Sequence, residues 1–303
     1  MSNVCFGAID IGSNAVRFVV KSVGTDPSDN SESLSQDILV RFPLRLGEDA
    51  FTQGEISKDK AKQLEHLIKS FRHMLKIFPV IDVKAYATSA MRDAKNGKKI
   101  AKMLYKKTGI DIKIIDGEEE ARIVYETHIE RELGQEADYM YMDVGGGSTQ
   151  ISLIHFGELM YSHSFNIGTV RMMNDKVAPE EKVAFISKLK ELRTQYPDFK
   201  WVGSGGNITK LHKLLSEKKN HNILHIEKLR LLNQELSSQA IETRMKKYHI
   251  KRDRAEVIGF AASVFIDAAQ AMQMDEIIVP SISIIDGMIN KMYLKHTAKK
   301  QEE

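Results

Sequence analysis

An aspartate followed by glycine and hydroxyl residues occurs twice in this chain, each time directly after an apolar run. The first copy is Ile9-Asp10-Ile11-Gly12-Ser13-Asn14, preceded by Val4-Cys5-Phe6. The second is Met142-Asp143-Val144-Gly145-Gly146-Gly147-Ser148-Thr149, preceded by Tyr139-Met140-Tyr141. Glycine lets a backbone approach an anion and turn its N–H groups toward it, and an aspartate can hold a metal ion or a water. Ser13, Asn14, Ser148 and Thr149 can each donate to phosphate oxygens, with the amides around Gly145, Gly146 and Gly147 as the cradle. A plain hairpin also turns on glycine, so one copy alone would not separate the two readings. Two copies, each strand, turn and strand, predict two homologous lobes closing on one phosphate chain.

Other side chains could join them. Arg92 follows the strand-end turn Ala87-Thr88-Ser89 and is either a solvated helix arginine or a fork onto phosphate. Arg17, on the strand after the first turn, is open between a phosphate contact and a cross-strand ion pair. The run Glu118-Glu119-Glu120 opens a helix, where carboxylates favour the positive dipole end whatever their function. Lys98, Lys99, Lys102, Lys106 and Lys107 form a solvated helix face or a landing strip for a polyanion, as do Lys218-Lys219 and Lys246-Lys247 with Lys251, Arg252 and Arg254. His221 and His225 are spaced four apart, but without the glutamate of a zinc-protease helix or any cysteine cluster they do not indicate zinc.

These residues need a particular set of elements. After the first turn comes a strand at Ala15–Val20, a polar loop over Gly24–Gln36, and a strand at Ile38–Phe42. A long amphipathic helix starts at about Ser57, with Leu64, Leu67, Ile68, Phe71, Leu75 and Phe78 on one face. A strand at Val83–Thr88, a helix carrying Arg92, a strand at Ile110–Ile115 and a helix from Glu118 follow. The second half restarts: strand to Asp143, strand Gln150–His155, a turn at Phe156-Gly157, and strand Glu158–Phe165. Then come a helix over Pro179–Gln195, a strand Lys200–Gly203, a glycine turn over Gly203–Gly206, and mostly helix, with one strand at Glu276–Val279. The tail Lys299–Glu303 reads as frayed. This is an α/β pattern duplicated at domain scale, a mixed sheet flanked by helices in each half.

Four ordered motifs resemble the exopolyphosphatase / guanosine pentaphosphate phosphohydrolase family: Asp10–Asn14, Ala87–Arg92, Gly117–Arg122 and Asp143–Thr149. Asn166–Arg171 and Gly203–Asn207 fall in the order that family would place them, so the resemblance covers essentially the whole chain. It implies two actin-like, ribonuclease H-like lobes with an inter-domain cleft, and the short form without the C-terminal extension of longer members. The lobes would be 1–123 and 124–303, the terminal helix free to pack on the first. It also implies a catalytic base at Glu120, the glutamate directly before alanine, orienting a water in line with a terminal P–O bond. Asp143 and Asp10 would hold Mg²⁺ or Mn²⁺. Ser13, Asn14, Arg17, Arg92, Gly145, Gly146, Gly147, Ser148, Thr149, Gly205, Gly206 and Asn207 would bind phosphate. The chain departs from the family pattern at two places. Gln150 stands where a metal-holding glutamate is usual and would be a weaker ligand, and Ile284-Ile285-Asp286-Gly287 lacks an expected arginine.

The expected function is removal of terminal phosphate from inorganic polyphosphate. The alternatives are hydrolysis of guanosine pentaphosphate at its 5′ end and a low-turnover polyphosphate or nucleotide sensor; a sugar kinase is the weakest. A net charge of +3 is too mild to imply nucleic acid, and 42% hydrophobic with 28% charged residues is ordinary for a globular protein. No run of eighteen apolar residues suggests a membrane span, and no basic leader with a cleavage site is present. The single cysteine, Cys5, lies in an apolar run, which suits a core position and a reducing cytoplasm. A homodimer is the expectation drawn from the resemblance.

Overall fold

The computed structural model describes residues 4–25, 32–125, 137–215, 222–280 and 283–302. The chain divides into two compact units, Met1–Thr127 with Ile284–Glu303, and His128–Ser283.

In the first unit, β1 (Cys5–Ile11) runs antiparallel to β2 (Val16–Thr25), and β2 antiparallel to β3 (Glu32–Phe42). On the other side of β1, the strands β4 (Val80–Ala87) and β5 (Ile112–Ile114) run parallel to it, giving the order β3-β2-β1-β4-β5. Alternation along β1 feeds two cores. Cys5, Ile9 and Ile11 join Phe18, Leu64, Ile68 and Phe71 on one face. Phe6 and Ala8 join Val19, Ile115 and Ile123 on the other. Asp10 therefore points to the Phe6 face.

The helices of this unit are α1 (Leu46–Gln53), α2 (Lys58–Leu75), α3 (Ser89–Asp93), α4 (Gly97–Thr108) and α5 (Gly117–Tyr125). Ser57 caps α2 by accepting from the Lys60 amide at 3.3 Å, and Leu64, Ile68 and Phe71 form its buried stripe. The described part of the polar stretch expected as a loop over Gly24–Gln36 is strand, with β2 and β3 paired out to Thr25 and Glu32; residues 26–31 lie outside the described residues. The Ser22 hydroxyl, within 3.0 Å of Ser35 and 3.1 Å of Asp37, ties the ribbon together, so serines with no apolar alternation still form a ladder.

The second unit repeats the plan. Antiparallel β6 (Tyr139–Val144), β7 (Thr149–His155) and β8 (Glu158–Phe165) are followed by β9 (Lys200–Ser204), parallel to β6. The β7–β8 turn is the two residues Phe156 and Gly157, both at positive φ (44° and 82°). With β10 (Ile223–His225) and β11 (Glu276–Ile278), the order is β10-β11-β9-β6-β7-β8. The strands β3-β2-β1-β4 and β8-β7-β6-β9 thus correspond one to one, which makes each unit an actin-like mixed sheet flanked by helices.

The helices here are α6 (Thr169–Met173), α7 (Pro179–Gln195), α8 (Gly205–Leu215), α9 (Ile226–Ser238), α10 (Ile241–Tyr248), α11 (Arg252–Ala255) and α12 (Ile258–Met272). Arg252–Met272 is long and apolar enough to match a membrane span by length and composition alone. It is instead the central helical segment of this unit, with Ala261, Ala262, Phe265 and Ala269 buried against Trp201 and its neighbours.

The last helix, α13 (Ile284–Glu302), belongs to the first unit. Ile284, Ile285, Met288, Ile289 and Met292 cover the Phe6 face of the sheet. Its backbone stays helical through Glu302, past the expected fraying point at Lys299.

Candidate active site

The two aspartate hairpins are built alike. Each aspartate sits at the end of a central strand, and the turn after it closes on one amide bond: Gly12 N–H to Ala15 O at 3.1 Å, and Gly145 N–H to Ser148 O at 2.8 Å. Each faces a residue of the next strand, Asp10 opposite Arg17 and Asp143 opposite Gln150. Each turn is braced by the helix that follows the third strand. In the first unit the amides of Arg45 and Gly47, at the start of α1, donate to the Asn14 and Ser13 carbonyls at 3.0 and 2.8 Å. In the second unit the amides of Thr169 and Val170, opening α6, donate to the Gly145 and Gly146 carbonyls at 3.0 and 2.8 Å. Arg171 Nε donates to the Gly147 carbonyl at 2.6 Å.

In the first unit Asp10 is only 6% exposed. Burial pushes its carboxyl pKa up, and the Arg17 guanidinium, 3.5 Å away, pulls it partly back. Arg17 thus makes the cross-strand ion pair. The Ser13 hydroxyl bonds Ser89 at 2.9 Å, and the buried Asn14 Oδ1 has no partner among the described residues. Arg92 donates to the Ile115 carbonyl at 3.2 Å, just before α5.

Helix α5 carries the acidic triplet. Asp116 caps it, accepting from the Glu119 amide at 2.8 Å, and its carbonyl accepts from the Glu120 amide at 3.1 Å. Glu118 is exposed, Glu119 is ion-paired to Lys113, and Glu120 is half-buried in the first turn. Helices α5 and α13 pack on the sheet face toward which Asp10 points, so Glu120 and Asp10 belong to one side of this unit. Gly287 fixes how closely α13 meets α5, since a Cβ there would overlap the Ile123 carbonyl. Sequence reasoning noted Gly287 only for the arginine missing beside it; the acidic-glycine pair was the signal.

In the second unit the carbonyls of Gly145, Gly146 and Gly147 are all held by the α6 segment. The amides of Gly146 and Gly147 have no acceptor among the described residues, leaving an anion cradle. Gly168 makes the brace possible, because a Cβ there would overlap the Gly146 and Gly147 backbone. Half-buried Asp143 lies against Gly205, the first residue of α8 at φ 85°, where a side chain would overlap its carboxylate.

Several expected phosphate ligands also make hydrogen bonds within this framework. The Thr149 hydroxyl donates to Ile167 O at 2.5 Å, Asn207 Nδ2 donates to Val144 O at 2.7 Å, and the Gly206 carbonyl accepts from Arg254. Ser148 is buried, and its carbonyl closes the turn. Ser204 Oγ, Thr169 Oγ1 and Gln150 Nε2 are buried without a partner among the described residues; Ser204 and Thr169 lie in the Gly203–Asn207 and Asn166–Arg171 stretches, but lone hydroxyls carry no periodic signal that singles them out as site residues. Among the described residues no three His, Cys, Asp or Glu side chains gather as a metal cluster. One carboxylate with the Ser204 hydroxyl and the Gln150 amide fits a hard Mg²⁺ that keeps waters and shares substrate phosphates.

The basic stretches are partly ion-paired and partly exposed. Lys98, Lys99, Lys102, Lys106 and Lys107 are exposed on α4, with Lys107 on Glu65 at 2.6 Å. Together with Lys69 it holds the Glu65 pKa down at about 2. Lys247 pairs with Glu235, and Arg252 with Glu242. Lys218, Lys219 and His221 lie outside the described residues.

Two like-built α/β units, each ending its central strand in an aspartate followed by a glycine turn, define a duplicated α/β class of protein. The Ppx/GppA phosphatase family model matches residues 34–296, and the chain belongs to that family. It is 31% identical over 149 residues to exopolyphosphatase 1 of Mycobacterium tuberculosis, covering 48% of this chain and 41% of that protein. It is 24% identical over 278 residues to a bifunctional 3-dehydroquinate synthase/phosphatase of Fusobacterium nucleatum, covering 85% of this chain and 40% of that protein. The matches thus span about two fifths of the length of these relatives. Among solved structures, an exopolyphosphatase of Cytophaga hutchinsonii shares the fold at TM-score 0.81 and 20% identity, over 95% of this chain and 97% of that one. The Aquifex aeolicus Ppx/GppA family member does so at TM-score 0.75 and 23% identity, over 97% and 98%.

Proposed function

We propose that this chain is a cytoplasmic exopolyphosphatase that hydrolyses the terminal phosphoanhydride bond of inorganic polyphosphate. The observation that carries the reading is the Gly145–Gly147 turn. Its carbonyls are held on one side by α6, so its amides are preorganised for an anion before one arrives. Membership of the family and the likeness to a protein named exopolyphosphatase 1 support the same chemistry. The Gly146 and Gly147 amides would take the charge on the transferred phosphoryl group. Glu120 would orient the attacking water and accept its proton, with Arg92, Ser13 and Asn14 assisting phosphate positioning. Asp143, with Gln150 and Ser204 beside it, would hold Mg²⁺. The ion, when bound, neutralises phosphate charge.

Guanosine pentaphosphate presents the same terminal bond and is the second substrate to compare. The neutral Gln150 opposite Asp143 is the observation that favours a low-turnover sensor. Phosphate release from polyphosphate, guanosine pentaphosphate and ATP, with and without Mg²⁺, tests all three. Polyphosphate should be preferred, and Glu120→Gln should lower its hydrolysis at least about a hundredfold, the scale of losing a general base. An unchanged rate in that variant removes the mechanism; binding without phosphate release identifies a sensor.

A further inference from the structure

The second unit carries a cavity that the hairpin chemistry does not use. It has a volume of about 660 Å³ and lies between α7 and α12, with Ile186, Lys190 and Arg193 on one wall and Asp267, Gln270 and Gln273 on the other. That volume is in the range of small-molecule sites. Both helices end just before a strand begins, α7 before β9 and α12 before β11. Strands β9 and β11 run parallel, as do β9 and β6, and Asp143 sits where β6 is ending. The cavity, lined by the last turns of each helix, therefore lies at the other end of the sheet from Asp143.

Its polar groups are ordered along its length. Asp267 has neither a hydrogen bond nor an ion pair among the described residues. Loss of water around it raises its carboxyl pKa, and Lys182 and Arg230 pull it partly back. Lys182 lies eight residues, about 12 Å, before Lys190 on α7. The carboxylate thus faces one end of the cavity, and the Lys190 and Arg193 cations the other. Arg193 donates to the Pro197 carbonyl and lies over the Phe199 ring at 5.5 Å, which fixes it while leaving most of its N–H groups open. Glu191, next to Lys190, is committed to Lys188 at 2.6 Å. Gln273 caps α12 at φ 55°, a left-handed position that glycine usually fills. A glutamine there gives the cavity a second amide beside Gln270.

We infer that this cavity is a second ligand site, for a purine nucleoside monophosphate with guanine as the preferred base. Four cations, Lys182, Lys190, Arg193 and Arg230, stand against the one carboxylate, which favours an anion over a ligand bearing an ammonium group. An ionised carboxylate only accepts hydrogen bonds, so Asp267 suits the edge of guanine, which offers two adjacent N–H groups. Adenine offers one N–H group beside a bare ring nitrogen. Lys190 and Arg193 answer the phosphate, and Ile186 with Ala271 gives the base an apolar wall. The inference does not rest on the proposed hydrolysis.

The test is calorimetry on the full chain with guanosine monophosphate, adenosine monophosphate, guanosine and orthophosphate as probes. Guanosine monophosphate should bind tightest, with each of the others at least about tenfold weaker, the scale of one charge-assisted contact. Asp267→Asn should weaken guanosine monophosphate about tenfold and strengthen adenosine monophosphate, because an amide matches the donor and acceptor of adenine. Lys190→Gln should weaken guanosine monophosphate by a similar factor and leave guanosine unchanged. Asp143→Asn should leave the affinity for guanosine monophosphate as it is, since the hairpin lies at the other end of the sheet. Equal binding of guanosine and its monophosphate, equal binding of the two nucleotides, or unchanged affinity in either cavity variant would overturn the site. Loss of binding in Asp143→Asn would overturn it too, by moving the nucleotide to the hairpin.

Discussion

The Asp10 and Asp143 hairpins have the same strands, the same turn closure and the same kind of bracing helix, yet their electrostatics differ. Asp10 is buried and faced by a cation, Arg17, which offsets part of the cost of burying its charge. Asp143 is half-buried, faces the neutral Gln150, and is followed by three glycines whose carbonyls are held and whose middle amides are open. Duplication preserved the scaffold, and three positions decide which copy is ready to receive charge: the residue opposite the aspartate, the glycine count, and the helix that takes the carbonyls. The largest expected effect follows from that asymmetry. Asp143→Asn should cut phosphate release about a thousandfold and Asp10→Asn at least tenfold less, within the range known for single electrostatic groups. Equal losses in steady-state assays would show that the two aspartates act as one unit and that the asymmetry is superficial.

The bracing glycines separate the hairpins next. A methyl at Gly168 would strike the Gly146 and Gly147 backbone, which has nowhere to go. At Gly47 it would meet the Phe51 ring and the Ser13 Cβ, and the ring can turn away. Gly168→Ala should therefore cost about 2–3 kcal/mol in chemical denaturation and Gly47→Ala about 1 kcal/mol. Reversed costs would mean that the α6 brace is the more pliant one.

This contrast marks what could be read from the amino acids. The aspartates, the glycine turns, the long stripe of α2 and the strand–turn–strand repeats were legible because each is a local pattern. The braces were not. Helix α1 has eight residues with a glycine and two acids in its first turn and shows little periodicity, and α6 has only five. Their contribution is a set of backbone hydrogen bonds to a turn far away in sequence, which no side-chain pattern encodes. The packing of α13 on the first unit was left open, because apolar residues such as Ile284, Ile285 and Met288 show that a face is covered but not which core receives it.

Burial gives Asp10 a stability signature. Its folded carboxyl holds its proton more tightly than the unfolded chain does, because burial outweighs the pull of Arg17. Stability from this group is therefore complete below the ordinary aspartate value and is lost as pH rises through the raised folded value. Asp10→Asn removes that loss. In metal-free buffer it should be about 1 kcal/mol more stable than wild type at neutral pH, with the advantage vanishing in acid below the ordinary carboxylate range. A variant less stable than wild type at neutral pH would show that the Arg17 pair outweighs the burial cost.

Gln150 offers the finest test, because it sits where the two hairpins differ most directly. Gln150→Glu places a second carboxylate across the antiparallel pair from Asp143, and facing like charges on neighbouring strands cost up to about 1 kcal/mol. Without metal the variant should melt a few degrees lower than wild type. Mg²⁺ should reverse the order, since two carboxylates hold a hard cation better than one carboxylate and an amide. The expected readout is a larger Mg²⁺-induced rise in Tm and activation at lower Mg²⁺, with no comparable change when Arg17 becomes Gln in the Asp10 hairpin. If Gln150→Glu melts lower with and without Mg²⁺ alike, the position is not part of an ion site. The amide would then serve as a donor to phosphate, the role its buried Nε2, without an acceptor among the described residues, equally allows.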